Sequence, residues 1–233
     1  MSVFNKIKDI INKRKALYNL YSDIRNLDEV KLEKRIEIFE EIVTPRFAQI
    51  GLNNWNGKYL WYSDFNDQGI KHVIQFHKFK GFSGKFSFGN CFDFVPTISG
   101  KKLINHRTDK STKVIYLKTL EKSVGDNSNL ISTLNEQKFR GSLDKVLSKN
   151  INNFESWFLS NSTIQENISG LKVDIQNHPA IIGEMIISYE YIISFLYRQE
   201  KDFDSCNYWI NKHFEKNLNS EIEKELILKK IKN

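Results

Sequence analysis

The chain has 233 residues, of which 40% are hydrophobic and 27% charged, with a net charge of +7 at neutral pH; it is long enough to bury a core and too apolar to read as disordered. No apolar run reaches the ~18–20 residues that a membrane helix needs, since the densest, 180–197, is interrupted by Gly183, Glu184, Ser188, Glu190 and Ser194. The two cysteines, Cys91 and Cys206, stand far apart and outside any CxxC pair, which argues against a disulfide framework or a Cys-rich zinc site and for buried free thiols.

The chain opens MSVFNKIKDIINKRK; Asp9 and Lys13 interrupt any signal-peptide core, so a cytoplasmic protein is expected. Phe4, Ile7 and Ile11, then Leu17, Tyr18, Tyr21 and Ile24, recur at helical spacing, as do Leu32, Ile36, Phe39 and Val43 after a start signal at Asp28. Thr44-Pro45 reads as an N-cap with proline at the first helical position, and Gly51 as the stop of a short third helix.

From Trp55 the apolar period changes to two. The stretches 55–65, 70–80, 85–96, 101–107 and 113–120 each read as a strand, divided by turn signals such as NDQG, GFSG and Ser99-Gly100. Five strands with no room for crossover helices must be mainly antiparallel. After 123 the chain is polar up to Arg140. A helix is then expected from Ser142 as N-cap, with Leu143, Val146, Leu147, Ile151, Phe154, Trp157 and Phe158 as its buried stripe. NSTIQENISG reads as a loop or a short broken helix. Pro179 opens a helix over 180–198 that is apolar nearly all round and therefore buried on several sides. Ser205 caps the next, with Cys206, Trp209, Ile210 and His213 inward. Ser220 and Glu223 make a capping box for the last, which carries Ile222, Leu226, Ile227 and Ile231. The fold expected is α+β: an N-terminal helical segment (1–52), a five-stranded mainly antiparallel β-meander (53–120) that forms one α+β unit with it, and a C-terminal all-helical region (121–233).

Taking GFSG as a four-residue hairpin loop places Lys80 opposite Lys85. Phe79, His77, Gln75 and Val73 then oppose Phe86, Phe88, Asn90 and Phe92 on one face, which the flanking helices must cover. On the other face Lys78, Phe76, Ile74 and His72 oppose Ser87, Gly89, Cys91 and Asp93. That small-residue face is either a packing seam or a concavity lined by His72, Asp93 and His106 or Arg107. In the second case a carboxylate beside an imidazole suits a general base, but it suits a structural ion pair equally well.

The positive charge is concentrated in the middle third: residues 53–120 hold 11 Lys/Arg against 4 Asp/Glu. Such an excess fits an acidic or polyanionic partner, or lysines that keep strand edges from aggregating. Lys101, Lys102, Arg107, Lys110, Lys78 and Lys80 are the candidate partner-binding residues. Arg107 and Lys110 lie in HRTDKS, a loop that either meets an anion or is a solvated turn. The sequence holds no phosphate-cradling glycine loop, no HExxH and no GxSxG, so no cofactor or metal is expected and the balance leans away from an enzyme. Lysines interleaved with Tyr59, Trp61 and Phe82 keep a nucleic-acid reading open.

The stretches GLNNWNGKYLWYSDF, GIKHVIQFHKFKG, FSFGNCFDFVP and HRTDK resemble bacterial α+β proteins of toxin-immunity and phage-defence loci, over less than a third of the chain. The resemblance carries no catalytic motif and implies no site residues. It implies an accessory or inhibitory protein that acts by contact. Expected first, then, is a non-enzymatic protein binding another protein through the basic sheet region. A nucleic-acid binder and a hydrolase using His72, Asp93 and His106 are the alternatives.

Overall fold

The computed structural model describes residues 29–99, 102–120, 127–177, 187–217 and 220–232. The helices expected over 4–24, residue Lys101 and the first part of the apolar stretch at 180–198 lie outside them. The described chain is α+β: a helix leads into an antiparallel sheet, and helices follow it.

Helix α1 consists of three consecutive segments, Leu32–Ile38, a π turn Phe39–Val43, and Thr44–Gln49. The sequence reading broke the helix at Thr44, whereas the chain runs through. Pro45 has no N–H to give and its ring crowds the carbonyl four residues back, and the π turn stands just ahead of it. Ile38, Phe39, Val43 and Phe47 make the buried face.

The strands are β1 (Asn54–Trp55), β2 (Leu60–Tyr62), β3 (Ile70–Phe79), β4 (Ser83–Phe92), β5 (Thr97–Ser99), β6 (Lys102–Ile104), β7 (Tyr116–Thr119) and β8 (Ile131–Ser132). The main sheet runs β1-β2-β3-β4-β7, with β8 also on β4, and every pairing is antiparallel. It has six strands instead of the five expected, and three differences explain the count, the first being β8, a short strand beyond the expected meander that pairs with β4. The single strand expected over 55–65 is a hairpin, because Asn56 Oδ1 accepts the amides of Lys58, Tyr59 and Leu60 at 3.0, 3.1 and 3.1 Å and folds the chain back. The strand expected over 101–107 does not join the meander. Pro96 carries no N–H for a ladder, and β6 instead pairs with β5 in a separate ribbon. The place beside β4 goes to β7. Gly89 makes this possible: a Cβ there would lie 1.8 Å from the carbonyl oxygen of Tyr116.

The β3–β4 register differs from the expected one by an odd number of residues. Phe79 pairs with Ser83, so the loop is 80–82, with Gly81 and Phe82 both at positive φ (94° and 61°). An odd shift exchanges which β3 residues share a face with the phenylalanines. Phe86, Phe88 and Asn90 lie opposite Phe76, Ile74 and His72; Ser87, Gly89 and Cys91 lie opposite Gln75, Val73 and Lys71.

The phenylalanine face is buried as its composition demands. Trp61, Ile74, Phe76, Phe86 and Phe88 form one core with α1 and with helix α2 (Glu136–Leu159). Phe39 meets Trp61, Phe76 and Phe139 edge-on at 5.3, 5.0 and 5.5 Å. Each such buried ring contributes about 1.5–3 kcal/mol through burial and about 0.5–1.5 kcal/mol more through ring geometry. Asn135, not Ser142, caps α2, accepting from Lys138 N at 2.9 Å; the Ser142 hydroxyl accepts the amide of Ser132.

A second core joins Ile70, Phe92, Phe94 and Tyr116 to the helices that follow. Helix α3 (Ile164–Asn177) occupies much of the stretch read as a loop or a short broken helix, because Glu166 takes the amides of Ser162 and Thr163 at 3.0 and 2.9 Å and starts the helix. In α4 (Tyr189–Gln199) every position from 190 to 197 is buried. Helix α5 (Phe203–Lys216) is capped by Asp202 rather than Ser205; Cys206, Ile210 and His213 are buried. The Ser220–Glu223 capping box starts α6 (Glu221–Lys232), although Ile222 is exposed. Cys91 and Cys206 are buried free thiols. No helix among the described residues is long and apolar enough to cross a membrane.

Candidate functional site

Asn90 interrupts the run of phenylalanines because its amide is the hub of a buried polar network. It is fully buried, and its Nδ2 donates to the carbonyl of Asn161 at 2.8 Å and to Asn167 Oδ1 at 2.7 Å. With both its hydrogens spent, its Oδ1 can only accept, so the proton at 2.8 Å comes from His72 Nδ1. His72 is thereby held in one tautomer, its ring stacked on Phe158 at 4.6 Å. Burial lowers the His72 pKa, against the opposing pull of the Asn90 bond. The network ties the centre of the sheet to the turn between α2 and α3.

The other face carries a different arrangement. Lys71 is almost fully buried, its ammonium 2.9 Å from Asp109, 3.3 Å from Thr112 Oγ1 and against the rings of Tyr62 and Phe65. His106, also buried, donates from Nδ1 to the carbonyl of Ser111 at 2.6 Å, and its Nε2 lies 3.0 Å from the Thr97 hydroxyl. Burial lowers its pKa too; the Ser111 bond pulls upward and Lys113 downward. Thr108 and Ser111 cap one 3-10 turn reciprocally. HRTDKS is therefore a clamped loop.

These placements separate the three candidate catalytic residues. His72 points to the α2 side of the sheet. His106 lies on the opposite side, its carbonyl 4.0 Å from the Cys91 sulfur. Asp93 follows β4 beside Gly69; burial raises its pKa and the Arg107 charge opposes the rise. Neither histidine bonds Asp93. His77 is on the Lys71 side, at 2.6 Å from the Ser87 hydroxyl. Among the described residues no group of three or more His, Cys, Asp or Glu side chains is arranged to hold a metal.

The candidate partner-binding residues divide between the two ends of the β3–β4 hairpin, roughly 30 Å apart for a ten-residue strand. Lys80 is exposed at the hairpin tip, and neighbouring Lys78 pairs with Glu29 at 2.8 Å. Glu29 also accepts from Thr133 Oγ1 at 3.0 Å and faces Arg35, which makes Lys78 part of a structural junction. At the far end Lys102, Arg107 and Lys110 are exposed and form no ion pair among the described residues. The nearby carboxylate of Asp109 is engaged by Lys71. Ile104, one β pleat from Lys102 and so on the same side of β6, is 42% exposed. The sequence reading did not single it out; the alternation Lys102, Ile104 was the signal that could have. Lys102, Arg107 and Lys110 thus put three exposed positive charges on the β6–loop segment that also exposes Ile104. No protein-family model matches the chain, and no curated protein or solved structure matches it.

Proposed function

We propose that this chain is a non-enzymatic protein that binds an acidic protein partner on the platform built by β5, β6 and the 105–112 loop. The single observation that carries the reading is the combination of Lys102, Arg107 and Lys110, exposed and without an ion pair among the described residues, with a loop held by His106 and the Lys71–Asp109 pair. Pre-ordering of this kind reduces the entropy lost on association, and complementary charge speeds encounter. The exposed Ile104 fits a protein interface, in which an apolar centre is ringed by polar groups. The resemblance to immunity and defence proteins gives such a partner its context.

The nucleic-acid reading has less support. Trp61 is fully buried and offers no face for bases, and Tyr59 is partly buried against Phe39 and Phe76 at 6.0 and 5.6 Å. The test is fluorescence anisotropy with a poly-glutamate peptide and with single- and double-stranded oligonucleotides, on the native chain and on the triple variant Lys102→Glu/Arg107→Glu/Lys110→Glu. Peptide binding that weakens with salt and disappears in the variant supports the proposal. Peptide binding unchanged in the variant overturns it, and a marked preference for oligonucleotides transfers the platform to the alternative.

A further inference from the structure

A groove of about 500 Å³ opens between the edge strand β7, the C-terminal end of α2 and one face of α3. It lies on the phenylalanine side of the sheet, so it is separate from the cationic platform. At its floor Asp174 is 8% exposed. Both its oxygens lie 2.8 Å from Lys118 Nζ, and Oδ2 also accepts the Tyr116 hydroxyl at 2.6 Å. The carboxylate is thus neutralised and its bonding nearly filled. Lys118 has a third N–H to give, and its side chain is 26% exposed.

Beside this pair lies an acceptor without a donor. Asn161 is 6% exposed, and its Nδ2 donates to the carbonyl of Trp157 at 2.8 Å. Its remaining polar atom is therefore Oδ1, which accepts no hydrogen bond among the described residues. Gly170 leaves that oxygen open: a Cβ there would come to 3.0 Å from it and 3.1 Å from the Tyr116 hydroxyl. The half-buried ring of Trp157, edge-on to Tyr116 at 5.4 Å, supplies an apolar wall.

The inner part of the groove thus offers one donor, Lys118, one acceptor, Asn161 Oδ1, and an aromatic side, while Ser160, Gln165, Ser169 and Glu166 line the rest of it, the Glu166 carboxylate being engaged by the Ser162 and Thr163 amides. For a charged ligand, Asp174 and Lys118 already compensate each other, and Glu166, the other charged group of the lining, is taken up by the Ser162 and Thr163 amides. A purely apolar one would leave Asn161 Oδ1 buried without a partner, at a penalty of about 1–3 kcal/mol. We infer that the groove binds a flat, uncharged heteroaromatic ring with an N–H donor and an acceptor on its edge, the chemistry of a nucleobase. Its volume is in the range of small-molecule sites and accommodates a nucleoside. The base can come from a free nucleoside or from a nucleotide in a single strand.

The experiment titrates the full chain with the four common nucleosides by calorimetry, and in parallel with a short single-stranded oligonucleotide of each base and with toluene as a ring lacking the polar edge. Val173, on the rim and 52% exposed, is replaced in Val173→Arg to cover the mouth; Val173→Glu is the second variant should the first not fold. Saturable binding of at least one nucleoside with a Kd below about 1 mM, at least tenfold tighter than toluene and weakened at least tenfold by either variant, supports the site. An oligonucleotide that binds more tightly than its nucleoside, with the same loss, supports the site and identifies the strand as the source. The inference is overturned if no nucleoside binds, if toluene binds as well, or if both variants bind like the native chain.

Discussion

Asn90 Nδ2 lies 2.7 Å from Asn167 Oδ1, a bond between two fully buried amides 77 residues apart in the chain. It joins the C-terminal part of β4 to the first turn of α3, and the same Asn90 side chain fixes the proton on His72.

Asn90→Leu would complete the apolar alternation of β4, yet it should destabilise the protein by roughly 2–5 kcal/mol. Two groups, Asn167 Oδ1 and His72 Nδ1–H, lose their partner inside the fold, at about 1–3 kcal/mol each. Urea denaturation measures the difference. A Leu variant as stable as the native chain would show that the network is not holding sheet and turn together.

Two glycines should respond in opposite directions. Gly89→Ala forces a Cβ to within 1.8 Å of the Tyr116 carbonyl oxygen, so β7 must move off β4, with a loss on the order of 3 kcal/mol or more. Gly141 is exposed within α2 and has nothing within 4 Å of its Cβ position. Alanine there should stabilise by about 0.5–1 kcal/mol through helix propensity. Thermal melts of the two variants check the pair, and equal effects would contradict the close approach of β7.

His72 and His106 should give the fold an acid-side weakness. Burial lowers both folded pKa values, so below the ordinary histidine value of about 6.5 the unfolded chain binds protons that the folded chain does not. Stability therefore falls as pH drops from that value toward the lower folded one, and is full above it. Imidazole NMR titration is the direct measurement. The two rings should titrate below the ordinary range, and a titration at or above it would remove the effect.

Much of the architecture was legible in the residue pattern. The change of apolar period at Trp55 marks where helix gives way to sheet, and the phenylalanines at 86 and 88 had to be roofed by helices. Two errors had a common origin. The loop at 80–82 closes one residue shorter than GFSG suggested because Phe82, not only glycine, takes a positive φ (61°), and the resulting register reversed the partners of every β4 side chain. Likewise 161–170 looked polar and broken, since nothing local reveals that Glu166 will cap the turn or that Asn167 will meet Asn90.

The sequence by itself determined the class of each segment, because periods of two and 3.6 are written by neighbouring residues and by the burial their side chains require. It also located the excess of positive charge. Only the tertiary structure decided which residues share a face, that β7 rather than β6 lies beside β4, that His72 and His106 stand on opposite sides of the sheet, and that Asn161, Gly170, Lys118 and Asp174 line one groove. Those outcomes depend on contacts between residues tens of positions apart, where a single odd shift in register exchanges one face for the other.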